Sequence, residues 1–240
     1  MNKSPNSVLI TGAGKRLGLY NAKKLLDAGY RVIASFRTMH TGVTELQQRG
    51  AITIQADFST LENIIAFIET LRTRTDQLRA IIHNASIWLE DDIVANQPDM
   101  FTKLVNVHML APYLINLQCS DLLLNGRGAA LRDIIHMSDQ AIYKGSSRRA
   151  AYVASKAGLE SMTRSFAKKY APHIKVNAIA PGLIKFNEED DEQYRTDTLK
   201  KAVLPIEPGE QTVWQTLQFI LDNPYMTGEV IPLRGGRHLL

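Results

Sequence analysis

Val8-Leu-Ile-Thr-Gly-Ala-Gly-Lys-Arg-Leu-Gly18 decides how this chain folds. Val8 to Ile10 reads as a short strand. Leu17 to Ala28 carries apolar residues at helical spacing and closes at Gly29, which reads as a helix. Strand, glycine-rich turn, helix is the setting in which glycines serve a dinucleotide. Glycine lets the backbone approach a pyrophosphate, and the helix start adds free N–H groups and a positive dipole end. The plainer reading is a turn that merely needs glycine. The flanking elements favour the dinucleotide, with Gly12, Lys15, Arg16 and Leu17 against it.

Further along, Arg31 to Phe36 reads as a second strand, ending in Phe36-Arg37-Thr38. An NAD site wants an acidic residue there, for the ribose 2′-hydroxyl. Arg37 and Thr38 instead suit a 2′-phosphate, with Lys15 and Arg16 nearby, so the expected cofactor is NADPH. A third strand, Ile52 to Gln55, leads to Asp57-Phe58. Asp57 either accepts a bond from an adenine amine or caps the helix that begins near Thr60. The fourth strand, Arg79 to His83, is followed by Asn84-Ala85-Ser86-Ile87-Trp88. Trp88 reads either as a packing anchor or as a flat wall for a planar substrate.

A long helical region from Asp99 to Leu124 contains Asn106, His108 and Pro112. The fifth strand lies within Ala130 to Met137 and ends in Ser138-Asp139; the sixth, Ile174 to Ile179, leads to Pro181, Gly182 and Ile184. A last helix (Gln211 to Leu221) and strand (Glu229 to Ile231) precede Arg234-Gly-Gly236. Alternating strands and helices describe an α/β, single-domain, Rossmann-like, doubly wound seven-stranded parallel sheet with helices on both faces, spanning 1–240. An insertion at about 183–208, opening with the acidic run Glu188 to Glu192, reads as a mobile lid over the substrate. Right-handed crossovers bring the strand ends carrying Gly12, Arg37, Asp57, Asn84, Asp139 and Pro181 to one edge.

Ser147 to Leu159 reads as the first turns of a helix that Pro172 stops. Tyr152 and Lys156, four apart, share one helical face. A tyrosine with a pKa of about 10 exchanges protons poorly at neutral pH. A neighbouring ammonium favours its phenolate, which makes the pair a tunable proton donor. Alone, such spacing usually marks a solvated helix surface; its nearness to the common strand edge makes it a site.

Composition narrows the function. The 240 residues are 45% hydrophobic and 22% charged, enough for one sizeable core. Twenty-eight Lys and Arg against 24 Asp and Glu give a net charge of only +4, with no basic block, so no nucleic-acid partner is expected. The single Cys119 excludes an internal disulfide and reads as a buried thiol. The six histidines do not cluster, so no metal is expected. With no leader and no apolar run long enough for a bilayer, a cytoplasmic protein without a membrane partner is expected.

The motifs TGAGKRLG (Thr11 to Gly18), ADFS (Ala56 to Ser59), HNAS (His83 to Ser86), YVASK (Tyr152 to Lys156) and VNAIAPG (Val176 to Gly182) together resemble the short-chain dehydrogenase/reductase family. Finer features are similar to its pteridine reductases, the bacterial dihydromonapterin reductases above all. These are Arg16 in place of a middle glycine, HNASIW, HMLAPYLI, DIIHMSD, SMTRSFAKKYAP, FNEEDDEQYR and the GGRHLL ending. The resemblance implies NADPH-dependent reduction of a 7,8-dihydropterin, dihydromonapterin first and dihydrofolate second, with hydride to C6 and a proton to N5. It implies Tyr152, Lys156 and Asp139 as catalytic residues, and Ser86, Trp88, Asp139 and Tyr152 around the substrate. The implied cofactor set is Gly12, Lys15, Arg16, Leu17, Arg37, Thr38, Asp57, Phe58, Asn84, Ala85, Ser86, Tyr152, Lys156, Pro181, Gly182 and Ile184. A homotetramer is implied as well.

Two departures from the wider family stand out. Its usual serine, thirteen positions ahead of the tyrosine, is Asp139 here, with Ser138 one residue off. A carboxylate beside the phenol raises the tyrosine pKa, opposing Lys156. The plainer reading leaves Asp139 capping the following loop and Ser138 in the usual role. The family's helix asparagine falls on His108, so that an imidazole takes over its relay or the relay is absent. Arg234 replaces a usual acidic residue, with no account of its effect. Two rival functions remain: an NADPH-dependent carbonyl reductase of the same family, and a non-catalytic NADPH-binding regulator.

Overall fold

The computed structural model describes residues 7–125 and 131–240. The expectations that touch Met1 to Asn6 and Ala130 lie outside them. Seven parallel strands, β1 (Ser7–Ile10), β2 (Arg31–Phe36), β3 (Ile52–Gln55), β4 (Ala80–His83), β5 (Arg132–Met137), β6 (Ile174–Pro181) and β7 (Val230–Leu233), form one sheet in the order β3-β2-β1-β4-β5-β6-β7. The order reverses between β1 and β4. A crevice therefore opens there, beyond the carboxyl ends of the strands, where ligands of such sheets bind.

Alternation along the strands builds two cores. Leu9, Ile33, Ile81, Ile134 and Val176 face one side, packed by α3 (Leu61–Arg74) and α8 (Ala150–Tyr170). Val8, Ile10, Val32, Ile82 and Ile179 face the other, packed by α1 (Arg16–Asp27) and α10 (Glu210–Asp222). A sheet buried on both faces needs such apolar runs. The remaining helices are α2 (Thr41–Gln48), α4 (Asp91–Asn96), α5 (Asp99–Val105), α6 (Ala111–Gln118), α7 (Ser120–Leu124) and α9 (Glu192–Leu199). No described helix is long and apolar enough to cross a membrane.

Two expectations about elements change. Asp99 to Leu124 is broken, with a π-turn at Asn106–Leu110 between α5 and α6. Pro112 has no N–H to offer the carbonyl four residues earlier, and Ala111 N–H reaches back to Asn106 instead. Ser147 to Arg149 lie ahead of α8, because Asp91, from a distant element, caps the helix at Ala150 and Ala151 (2.7 and 3.2 Å). Within the 183–208 segment lies α9, capped by Asp191, which accepts from Tyr194 N–H (2.7 Å).

Candidate active site

The turn after β1 is held by backbone contacts that tolerate little else. A Cβ at Gly18 would stand 2.3 Å from the Gly12 carbonyl oxygen, and one at Gly12 would stand 2.7 Å from Ala85 Cα. Arg16 has a left-handed φ of 52°. That conformation is where glycine costs least. Asn84 donates to the carbonyls of Thr11 and Gly12, both at 3.0 Å, tying the ends of β1 and β4 together. Thr11 Oγ1 accepts from Asn84 and Ala85 N–H, each at 3.0 Å, and Ser35 Oγ accepts from Gly12 N–H at 3.2 Å. Thr11 stands inside the glycine motif and could have been read from it; nothing in the sequence marks Ser35.

A cleft of about 730 Å³ runs from this turn past Arg37, Thr38, Asp57 and Phe58 at one end to Ser86 and Trp88 at the other. Lys15, Arg16 and Arg37 line it, and Asp57 is the one acid among its described lining residues. The start of α1 has neither a side-chain cap nor an acid in its first turn. Free helix N–H groups, a close-approach turn and flanking cations fit a phosphate-rich dinucleotide. Asp57 does not cap α3, the second of the two roles open to it. Thr60 does so, accepting from Asn63 N–H (3.3 Å), while Asp57 Oδ1 accepts from Ser59 N–H (3.0 Å).

A second cleft of about 890 Å³ adjoins the first at Lys15, Asn84 and Ser86 and reaches Asp139, Tyr152, Lys156, Pro181, Gly182 and Ile184. Tyr152 and Lys156 share one face of α8, and both are buried. The Tyr152 hydroxyl donates to Asp139 Oδ2 at 2.7 Å. Asp139 Oδ1 meanwhile accepts from Ala141 N–H at 2.7 Å, so this residue both caps the loop and meets the phenol. Ser138 points away and donates to buried Glu160 (2.6 Å). Burial, then the charge and hydrogen bond of Asp139, hold the Tyr152 hydroxyl well above the ordinary phenol range. That outweighs the lowering expected from Lys156, whose Nζ lies 5.9 Å from the ring centroid and donates to the Met137 carbonyl at 2.8 Å. Burial brings Lys156 down to about 8, against the pull of Asp139. The site thus stores one proton on a phenol beside an ammonium.

Trp88 is 62% exposed at the cleft, so it is no core anchor. The Arg149 guanidinium lies 3.7 Å from its ring centroid and also pairs with Glu90. Arg149 escapes a reading of the sequence because its partners lie far away along the chain. His108 is buried against Ser86, Ile87 and Ser155 and meets Tyr152 edge-on at 5.5 Å, while Asn106 turns away to the Ser59 carbonyl (2.7 Å). Arg234 stacks on the Tyr143 ring at 4.7 Å. Among the described residues no group of three or more acidic, histidine or cysteine side chains could hold a metal.

A model of the short chain dehydrogenase family matches residues 6–196. The dihydromonapterin reductase of Klebsiella pneumoniae is 44% identical over 237 residues, covering 99% of this chain and 98% of its own. That of Citrobacter koseri is 45% identical over 235 residues, 98% of each. Among solved structures, the alternative dihydrofolate reductase 1 of Brucella suis, in complex with NADP, superposes with a TM-score of 0.85 at 25% identity over 98% of this chain and 95% of that one. Such agreement, end to end and in sequence as well as shape, exceeds what a shared architecture requires: the chain belongs to the short-chain dehydrogenase/reductase family.

Proposed function

We propose that this protein reduces a 7,8-dihydropterin with NADPH, dihydromonapterin first and dihydrofolate second. One observation carries the reading: a phenol kept protonated by burial and a carboxylate, in a cleft that adjoins the one where an indole stands exposed. The names and NADP complexes of the relatives support it. The start of α1 with Gly12, Lys15, Arg16 and Leu17 would take the pyrophosphate. Arg37 and Thr38 would take the 2′-phosphate, and Asp57 and Phe58 the adenine. Asn84, Ala85, Pro181, Gly182 and Ile184 would line the nicotinamide end, with Lys156 and Tyr152 on its ribose.

When bound, NADPH would supply the hydride for C6. The chain supplies the rest. Tyr152 holds a proton for N5, which becomes strongly basic as C6 is reduced, so even a phenol of raised pKa gives it up. Asp139 keeps that proton in place beforehand. Lys156 offers positive charge to the phenolate left behind. Trp88 forms a flat wall for the bicyclic ring, and Ser86 meets its polar edge. Residues 183–208 act as the substrate loop; Leu183 to Glu189 already line the cleft. A homotetramer, which the family resemblance implies, and a cytoplasmic location belong to the same reading.

The deciding experiment follows NADPH oxidation with dihydromonapterin, dihydrobiopterin and dihydrofolate side by side. Turnover of dihydromonapterin at the highest kcat/KM is expected. No turnover of any dihydropterin, with turnover of a sugar or acyl ketone, would overturn the reading.

A further inference from the structure

His108 lies in the π-turn between α5 and α6, buried to 1% exposure, with every ring nitrogen engaged. Its Nε2 is 3.2 Å from the backbone N–H of Ile87, 2.9 Å from Ser86 Oγ, and its Nδ1 is 2.8 Å from Ser155 Oγ. These contacts fix the protons on the imidazole ring. A backbone N–H can only donate, so Nε2 must carry a lone pair, which excludes both the imidazolium and the Nε2–H tautomer. The ring proton is then on Nδ1 and is donated to Ser155 Oγ. Ser155 is free to accept it, because its own hydroxyl donates to the Tyr152 carbonyl at 2.7 Å. Between Ser86 Oγ and a bare Nε2 the shared proton belongs to Ser86, and this 2.9 Å contact is shorter than the 3.5 Å one from the same hydroxyl to the Ile87 carbonyl. Burial and the Lys156 charge push the imidazole pKa well below its ordinary value, which agrees with a neutral ring.

We propose that His108 is a positioning residue that fixes the Ser86 hydroxyl as a hydrogen-bond acceptor toward the cleft. Ser86 is exposed there, at the junction of the two clefts and near the Tyr152 hydroxyl. Its one proton is turned inward. With that proton donated to Nε2 it offers lone pairs to a bound molecule; the phenol oxygen, whose own proton goes to Asp139, is the competing acceptor for it. An edge bearing N–H groups, such as an amide or an aminopyrimidinone, is accepted at Ser86, and one presenting only carbonyl oxygen is refused. The same ring, through Ile87 N–H, anchors the segment that carries Trp88. This selection of the substrate edge rests on the dihydropterin reading; the proton arrangement does not.

Two measurements test it. In ¹⁵N-histidine-labelled wild-type protein, His108 should show a protonated Nδ1 and a bare Nε2, without titration across neutral pH. A protonated Nε2 or a titrating ring overturns the lock, whatever the substrate proves to be. In kinetics with a dihydropterin, Ser86→Ala should raise KM about tenfold, the worth of one hydrogen bond made in the ground state, with kcat nearly unchanged. His108→Leu should raise it similarly, and the double variant no more than either. His108→Gln, which can still accept from Ser86 and Ile87, should recover most of the loss. Additive effects, or equal loss in Leu and Gln variants of unaltered NADPH affinity, would reduce His108 to packing. Failure of wild type to turn over any dihydropterin would sink the functional reading while leaving the NMR result to decide the lock.

Discussion

The Tyr152 hydroxyl gives its hydrogen to Asp139 Oδ2 at 2.7 Å, and Ser138, the neighbour that could have taken this place, is turned to Glu160. A serine at this position would stabilise a phenolate by donating. A carboxylate does the reverse and keeps the proton on oxygen. Tyr152→Phe should therefore lower kcat on the order of 10²- to 10⁴-fold, the range of general acid catalysis, with NADPH affinity retained. Asp139→Asn removes the charge and should lower both kcat and the phenol pKa. An ultraviolet difference titration of the phenolate band reads the latter directly. An unshifted titration in the asparagine variant would show that Asp139 is not what holds the proton.

Lys156 sets a pH limit. Its folded pKa is about 8, below its ordinary value of 10.5. The folded state thus binds fewer protons than the unfolded one between those values. The cost of burying the ammonium is at full size below about pH 8 and is relieved as pH rises toward 10.5. In the free protein that relief is on the order of 3 kcal/mol. Urea unfolding of wild type and Lys156→Met across this window should show wild type gaining on the variant as pH rises. NADPH affinity should run the opposite way, falling above about pH 8 in wild type and flat in Lys156→Gln. Parallel pH curves for wild type and variants would show that Lys156 does not titrate there.

Strands were the most legible part of the chain. β2 and β3 end on the residues that their β-branched runs predict: β2 is buried along nearly its whole length, and the edge strand β3 keeps Ile54 inside. The Tyr152–Asp139 contact was legible through the family resemblance, whose serine thirteen positions ahead of the tyrosine falls on Asp139. What could not be read depends on partners distant in sequence. Asp91 decides where α8 begins; Arg149, just ahead of α8, finds Trp88 from far along the chain; His108 closes on Ser86 and Ser155 from within a π-turn. None of these leaves a periodic or spaced signature.

Trp88 keeps more than half of its surface exposed although an arginine already lies against the ring. An exposed indole contributes little to stability, so its removal should be felt in binding. Trp88→Ala should raise KM for a dihydropterin tenfold to a hundredfold, on the order of 1–3 kcal/mol of ring stacking, without changing NADPH affinity or the melting temperature by much. Arg149→Leu should raise KM less, through loss of the support behind the ring. A drop in thermal stability with unchanged KM would make Trp88 a packing residue after all.

On the proposed reading, cofactor choice would be set at the far end of the first cleft, where Arg37 and Thr38 are exposed and Lys15 and Arg16 also line the wall. An exposed guanidinium gains little from another protein side chain, but two phosphate charges give it a strong partner. Arg37→Asp should weaken NADPH at least tenfold while leaving NADH unchanged or improved, because an acid at this point suits a free 2′-hydroxyl. Gly18→Ala is the control for the turn itself. Its methyl would meet the Gly12 carbonyl oxygen and the Asn84 amide, at 2.3 and 2.5 Å, so both cofactors should be lost together. Fluorescence titrations with the two cofactors separate the cases. Equal losses of NADPH and NADH in Arg37→Asp would mean that the arginine shapes the cleft wall and does not read the phosphate.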